Sequence, residues 1–179
     1  MAVLTKIETA LGTVIASSDG QSLTGLWFEG QKYECTFVED PIWDDSLPLW
    51  KTVKQSLEDY FQGVGDVTPA VPIAFVGGTA FQKAVWAVLT GIPYQTVWTY
   101  KDVAERVGEK LGRKTSSRAV GTAIGRNPIS LFVPCHRVVA TTGALTGYAG
   151  GVERKRALLT LEGHSVVKDR VMKGERHEA

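Results

Sequence analysis

The chain has 179 residues, of which 44% are hydrophobic and 22% charged, with a formal net charge of +1. That length holds one large or two small cored domains, and the composition is that of an ordinary globular protein. It excludes a disulfide scaffold, since there are only two cysteines, and no apolar run approaches the roughly 20 residues that a bilayer-crossing helix needs.

The N-terminal stretch MAVLTKIETALGTVIASSDG alternates apolar with polar residues and has no continuous hydrophobic region of a signal peptide. A cytoplasmic protein with no membrane partner is the expectation. In a reducing compartment Cys35 and Cys135 are free thiols. There is no CxxC pair, and His136, His164 and His177 lack ligand spacing, so neither a zinc site nor any other metal or cofactor is expected. Charge is unevenly spread. Residues 1–100 carry 5 Lys/Arg against 11 Asp/Glu, and residues 101–179 carry 15 against 8. A basic half either meets a polyanion or is simply a solvated face.

Residues 3–38 read as short strands, with turns at Gly12 and Ser18-Asp19-Gly20. Leu49, Val53, Leu57 and Tyr60 at helical spacing predict a helix over 46–63, with Ser46 as its N-cap and Gly63 as its stop. Residues 63–78 are rich in Gly and Pro and read as a linker. Helices follow over 79–93, capped by Thr79, and over 99–108. Another is expected over 116–127, then a buried extended segment over 129–133 and a last helix over 151–163, closed by Gly163. The helices 99–108 and 116–127, joined by the basic Glu109–Lys114 stretch, suggest a helix-turn-helix. The helix over 116–127 is poor in bulk: Ala119, Gly121, Thr122, Ala123 and Gly125 are all small. Each glycine costs roughly 1 kcal/mol of helix stability relative to alanine. Either close helix packing or close approach to a nucleic-acid backbone compensates, with Arg118 projecting from the same helix.

The run Pro134-Cys135-His136-Arg137-Val138 follows the buried segment. The thiolate is the reactive form of cysteine, and nearby cations favour it. In an extended chain neighbouring side chains point to opposite faces, so His136 reaches the sulfur only through a turn or a water. A histidine base needs an orienting carboxylate, and Glu162 is the candidate. The plainer reading makes Cys135 a small buried hydrophobe, with His136 and Arg137 on the surface.

PCHRV (134–138) resembles the active-site signature of the O6-alkylguanine-DNA alkyltransferases, the methylated-DNA–protein-cysteine methyltransferase family. RAVG (118–121) resembles their recognition helix, Asn127-Pro128 their hinge, and TGYAGG (146–151) and LEGH (161–164) the segments that close their pocket. The resemblance is close over 78–165 and loose over 1–75. It implies an α+β protein. A small RNase H-like domain with an antiparallel sheet, and the linker, would occupy 1–77. A helical DNA-binding and alkyl-transfer domain with a winged-helix-like helix-turn-helix would occupy 78–165. Residues 166–179 read as a flexible tail.

The resemblance also implies roles. Cys135 accepts the alkyl group, activated by His136 and Glu162 through a water. Tyr100 protonates the leaving guanine, and Asn127 braces the turn before the active site. Arg118 fills the place of the flipped nucleotide from a helix whose Ala119, Gly121 and Thr122 meet the DNA, while Tyr148 and the backbone at Ala149 contact the flipped base. The implied function is single-turnover, self-inactivating direct reversal of O6-alkylguanine in double-stranded DNA by a monomer, with O4-alkylthymine as a further candidate substrate. Three departures stand out: Gln95 where the family pattern has glycine, a longer and more basic loop over 108–117, and Ala149 in place of a serine.

Two other readings compete. A non-catalytic lesion- or DNA-binding helix-turn-helix protein leaves Cys135-His136 beside a glycine-rich loop without a reason. A thiol hydrolase with a Cys-His-Glu triad leaves the small-residue helix and the basic half without one.

Overall fold

The computed structural model describes residues 1–67 and 71–172. Among the described residues the fold is mixed, with a small, mainly antiparallel sheet and five α-helices. It divides into two compact units, one made of Met1–Gly78 together with Pro128–Phe132, the other of Thr79–Asn127 and the chain from Val133 onward.

In the first unit β1 (Ala2–Thr9), β2 (Gly12–Ser18), β3 (Leu23–Phe28) and β4 (Pro41–Trp43) form one sheet in the order β3-β2-β1-β4. β1 and β2 make a tight hairpin with Thr9 opposite Gly12, where Gly12 has φ +120°, a backbone state that a side chain would resist. β4 lies parallel to β1 and its three residues are exposed; too short and too exposed to carry a pattern, it was not legible in the sequence. β3 is buried throughout. Its outer edge is met by single bridges, Leu23 to Ile73 and Leu26 to Ile129. Thus part of the segment expected to be a linker is pinned to the sheet, while residues 68–70 lie outside the described residues.

Helix α1 (Leu49–Phe61) buries Trp50, Val53, Leu57 and Tyr60, a stripe worth about 1.5–3 kcal/mol per large side chain. It starts later than Ser46. Ser46 donates its N–H and hydroxyl to Asp44 Oδ1 in a local turn, and Pro48, with φ −54°, precedes the first helical residue. A proline there loses no helical hydrogen bond.

The second unit packs α2 (Ala80–Leu89), α3 (Tyr100–Leu111) and α4 (Ser117–Gly125) against one another. Thr79 caps α2 in a reciprocal box with Gln82, and Thr99 caps α3 in the same way with Asp102; each box satisfies two orphan donors. α3 continues past the expected stop at Gly108 to Gly112, which takes the left-handed conformation. Gly108 is needed for another reason: a Cβ there would lie 2.9 Å from the Arg113 carbonyl oxygen. β5 (Trp98–Thr99) pairs in parallel with β6 (Val138–Val139), and α5 (Val152–Leu161) completes the unit.

Two expectations are corrected here. Residues 129–133 are buried but not extended: Leu131 has φ +71° and Phe132 N–H donates to Ser130 O at 2.8 Å, a tight reversal of three residues. Residues 166–172 are not a loose tail. Val171 bonds back to Gly143 O and joins Val97, Val139, Leu145 and Leu159 in a core cluster, with Val166 packed against it. Residues 173–179, with His177, lie outside the described residues. Among the described residues no helix is long and apolar enough to cross a membrane, and no group of three or more His, Cys, Asp or Glu is arranged to hold a metal ion.

Candidate active site

Pro134 explains the placement of Cys135. Its φ of −82° and ψ of 65°, with Cys135 N–H donating to Val133 O at 2.8 Å, make an inverse γ-turn. A 3-10 turn, Cys135–Arg137, follows directly. The chain is therefore coiled here, not extended, and the three side chains fan out within one turn. All three are buried, so the surface reading of His136 and Arg137 fails.

Glu162 caps the end of α5 and is 1% exposed. Its Oε2 lies 2.6 Å from His136 Nε2, and Arg137 donates from Nε to Oε1 at 2.8 Å and from Nη2 to Oε2 at 3.2 Å. The backbone N–H of Gln95 adds a longer contact to Oε1 at 3.3 Å. Burial opposes ionisation of this carboxyl, but the charges and hydrogen bonds of His136 and Arg137 outweigh it and hold the group well below the usual carboxylate range. For His136 burial dominates and pushes the imidazole down; Glu162 works against that, while Arg137 and Lys155 add to it. With Nε2 turned to Glu162, Nδ1 is buried and has no hydrogen-bond partner among the described residues.

Lys155, from α5, is 1% exposed and donates from Nζ to Val138 O at 2.6 Å and to Thr146 O at 3.3 Å. Burial pushes its ammonium down to about 8, with Cys135 opposing. Burial likewise raises the Cys135 thiol, against the Asn127 amide, the Lys155 charge and the backbone N–H groups of Cys135 and His136. Asn127 also donates from Nδ2 to Val133 O at 2.8 Å. Tyr100 opens α3; its hydroxyl accepts from Thr146 Oγ1 at 2.8 Å and its ring lies 6.0 Å from Lys155 Nζ. Burial raises the phenol despite the Thr146 bond, so it stays protonated and able to donate.

Cys135, His136, Glu162 and Asn127 are buried together, with half-buried Tyr100 linked to them through Thr146 and Lys155. Arg118, Ala119 and Thr122 face outward from α4. Tyr148 and Ala149 are half-buried in the turn that Gly151 N–H closes onto Tyr148 O, just before α5. On α4 the packing explanation for the glycines weakens. A Cβ at Gly121 would make ordinary contact with the Tyr100 ring at 3.6 Å, and one at Gly125 would meet nothing.

Residues 80–164 match the family model described as 6-O-methylguanine DNA methyltransferase, DNA binding domain. The methylated-DNA–protein-cysteine methyltransferase of Haemophilus influenzae is 38% identical over 160 residues, covering 88% of this chain and 84% of that one. The chain belongs to the methylated-DNA–protein-cysteine methyltransferase family. A crystal structure of the Mycobacterium tuberculosis O6-methylguanine methyltransferase is similar over 90% of this chain and 93% of its own, at 36% identity and a TM-score of 0.76. The structure of M. tuberculosis OGT in complex with DNA is similar over 89% and 92%, at 35% identity and the same TM-score of 0.76.

Within this methyltransferase chain the sequence alone assigned no role to Lys155 or Arg137 and marked Gln95 only as a departure from the family pattern. A signal for Lys155 existed. Lys155, Leu158, Leu159 and Glu162 share one face of α5 at helical spacing, and all four are buried. Two charges lie on the apolar stripe itself, although the neighbouring Arg154 and Arg156 make Lys155 look like solvated charge.

Proposed function

We propose that this protein repairs double-stranded DNA by irreversible transfer of an alkyl group, such as methyl, from the O6 atom of alkylated guanine to its own Cys135. The observation that carries this reading is the buried Cys135-His136-Glu162 cluster, in which Glu162 engages His136 Nε2 at 2.6 Å and leaves Nδ1 as the base. The Cys135 proton passes to Nδ1, directly or through a water. The thiolate attacks the alkyl carbon, the S–C bond forms and the C–O6 bond breaks. Tyr100 protonates the departing guanine, which lowers the barrier. The product is a thioether, so each molecule acts once.

The target atom is buried in a duplex, so the nucleotide must be flipped out, at a cost of a few kcal/mol that is least for a lesion. Outward-facing Arg118, on a helix with small Ala119, Gly121 and Thr122, fits entry into a narrow groove and occupation of the vacated stack. Tyr148 and the Ala149 backbone are assigned to the flipped base, and Asn127 to bracing the turn at Cys135. In this reading the first unit is the RNase H-like domain. The α3–α4 pair is the helix-turn-helix of a winged-helix-like domain, and the protein works in a reducing cytoplasm, consistent with two free cysteines.

The test is intact-protein mass spectrometry after incubation with a duplex carrying one O6-methylguanine, followed by peptide mapping. One added methyl on the Cys135 peptide, in proportion to lesion consumed, is expected. Tight lesion binding with an unchanged mass would overturn alkyl transfer and leave a non-catalytic lesion-binding protein.

A further inference from the structure

Arg137 stands next to the nucleophile and its base, yet the reaction as written gives it no part. Its guanidinium is 2% exposed, and burying it without partners would be costly. The partners are specific. Nε and Nη2 take the two oxygens of Glu162, and Nη1 donates to Ile92 O at 3.1 Å. A planar fork on both carboxylate oxygens sets orientation as well as charge, which a point cation does not.

The donors around Glu162 have a chemical consequence. Oε1 accepts from Arg137 Nε and Gln95 N–H; Oε2 accepts from Arg137 Nη2 and lies against His136 Nε2. A carboxylate held in this way is acceptor-only, so the hydrogen on the 2.6 Å contact resides on Nε2. We propose that Arg137 is the positioning residue of the site: by occupying both oxygens of Glu162 it commits the imidazole hydrogen to Nε2 and leaves Nδ1 as the acceptor for the Cys135 proton. The proposal rests on the alkyl-transfer reading for its purpose but not for its geometry.

Charge points the same way. His136 is faced by Cys135 and Arg137 from its own turn and by Glu162 and Lys155 from α5, with Tyr100 of α3 beyond. Arg137 and Glu162 neutralise each other. Without Arg137 the unbalanced carboxylate would favour imidazolium. That raises the pH at which His136 sheds the proton that must leave before it can accept one from Cys135, so the acid limb of the reaction moves up. Lys155 remains, so the effect is a shift rather than abolition.

The experiment compares the pH–rate profile of alkyl transfer from free O6-methylguanine nucleoside for the full chain, Arg137→Met and Arg137→Lys, read as methylated protein by mass. For Arg137→Met the acid limb is expected to rise by about one pH unit, a roughly tenfold loss below the limb that is regained at higher pH. Arg137→Lys keeps the charge, so its limb stays in place while the plateau falls with the lost fork. A loss equal at every pH, or a limb moved equally by both variants, would overturn the proposal. In parallel, 15N chemical shifts of His136 in the unsubstituted protein report its tautomer. Hydrogen on Nε2 is expected, and hydrogen on Nδ1 overturns the proposal even if neither variant folds. If the unsubstituted protein transfers no methyl from a lesion duplex, the alkyl-transfer reading fails by itself, and the tautomer still decides the role of Arg137.

Discussion

The side-chain amide of Asn127 donates a 2.8 Å hydrogen bond to the carbonyl of Val133, six positions ahead. The five residues between them, Pro128–Phe132, belong to the other compact unit. Asn127 therefore joins the end of α4 to the residue that begins the turn carrying Cys135. Asn127→Ala removes this donor from a carbonyl that still accepts from Cys135 N–H, which costs about 0.5–1.5 kcal/mol, the net worth of one hydrogen bond. Thermal unfolding should show a lowered Tm, and alkyl transfer should slow at temperatures where the variant is still folded. An unchanged transfer rate would reduce Asn127 to a stability element.

Gln95 holds φ +67°, a left-handed conformation that costs a side-chain-bearing residue about 1–2 kcal/mol. Its N–H reaches Glu162, and glycine keeps that N–H. Gln95→Gly should raise stability by about 0.5–1 kcal/mol after the added freedom of the unfolded chain is counted, with transfer activity retained. Denaturant melts decide it; a lower midpoint would mean that the Gln95 side chain contributes more than the strain it imposes.

Gly121 separates folding from function on α4. A methyl there meets the Tyr100 ring at an ordinary 3.6 Å, so Gly121→Ala should stabilise the helix by about 1 kcal/mol. If this face enters DNA, duplex affinity should fall at the same time. Melting temperature and a duplex titration at fixed salt read the two effects, and a stabilised variant with unchanged affinity would move the DNA contact away from Gly121.

Lys155 makes both stability and reactivity depend on pH. Its pKa drops from 10.5 to about 8 in the folded protein. Between those values the unfolded chain binds the extra proton, so this group's contribution to stability rises with pH across that window. Lys155→Met should remove the rise, seen by comparing denaturant melts at pH 7.5 and 10. It also removes a charge that favours the Cys135 thiolate, so transfer at pH 7 should fall about tenfold, the effect of one pKa unit, and recover as pH rises. A uniform loss at every pH would point to packing instead.

Arg118 and Cys135 test different steps. Arg118→Ala should slow repair of a lesion in duplex DNA far more than reaction with the free alkylguanine nucleoside, and equal losses would argue against a flipping role. Cys135→Ser should abolish transfer while lesion binding, measured by titration, stays largely intact. Retained transfer would displace Cys135 as the acceptor.

Local pattern carried much of the fold. Leu49, Val53, Leu57 and Tyr60 predicted α1 from spacing alone, and Thr79 announced the start of α2, since a capping hydroxyl needs only its own helix. Ser46 misled because Asp44, two residues away, competes for it. At the site, Cys135, His136 and Glu162 were legible through the resemblance of short motifs. Arg137 was not, because nothing in the string PCHR distinguishes a buried guanidinium from an exposed one.

The helices, most of the sheet and the Thr79 cap could be read from the sequence, since their causes lie within a few residues. That Pro134–Arg137 coils instead of extending, that 128–132 reverse beside β3, that Arg137 goes inside, and which groups receive Lys155 came only with the folded chain. A charge can be buried only where distant groups meet it. For Arg137 these are Glu162 and Ile92, 25 and 45 positions away; for Lys155, Val138 and Thr146, 17 and 9 positions away. No local periodicity records partners at such separations.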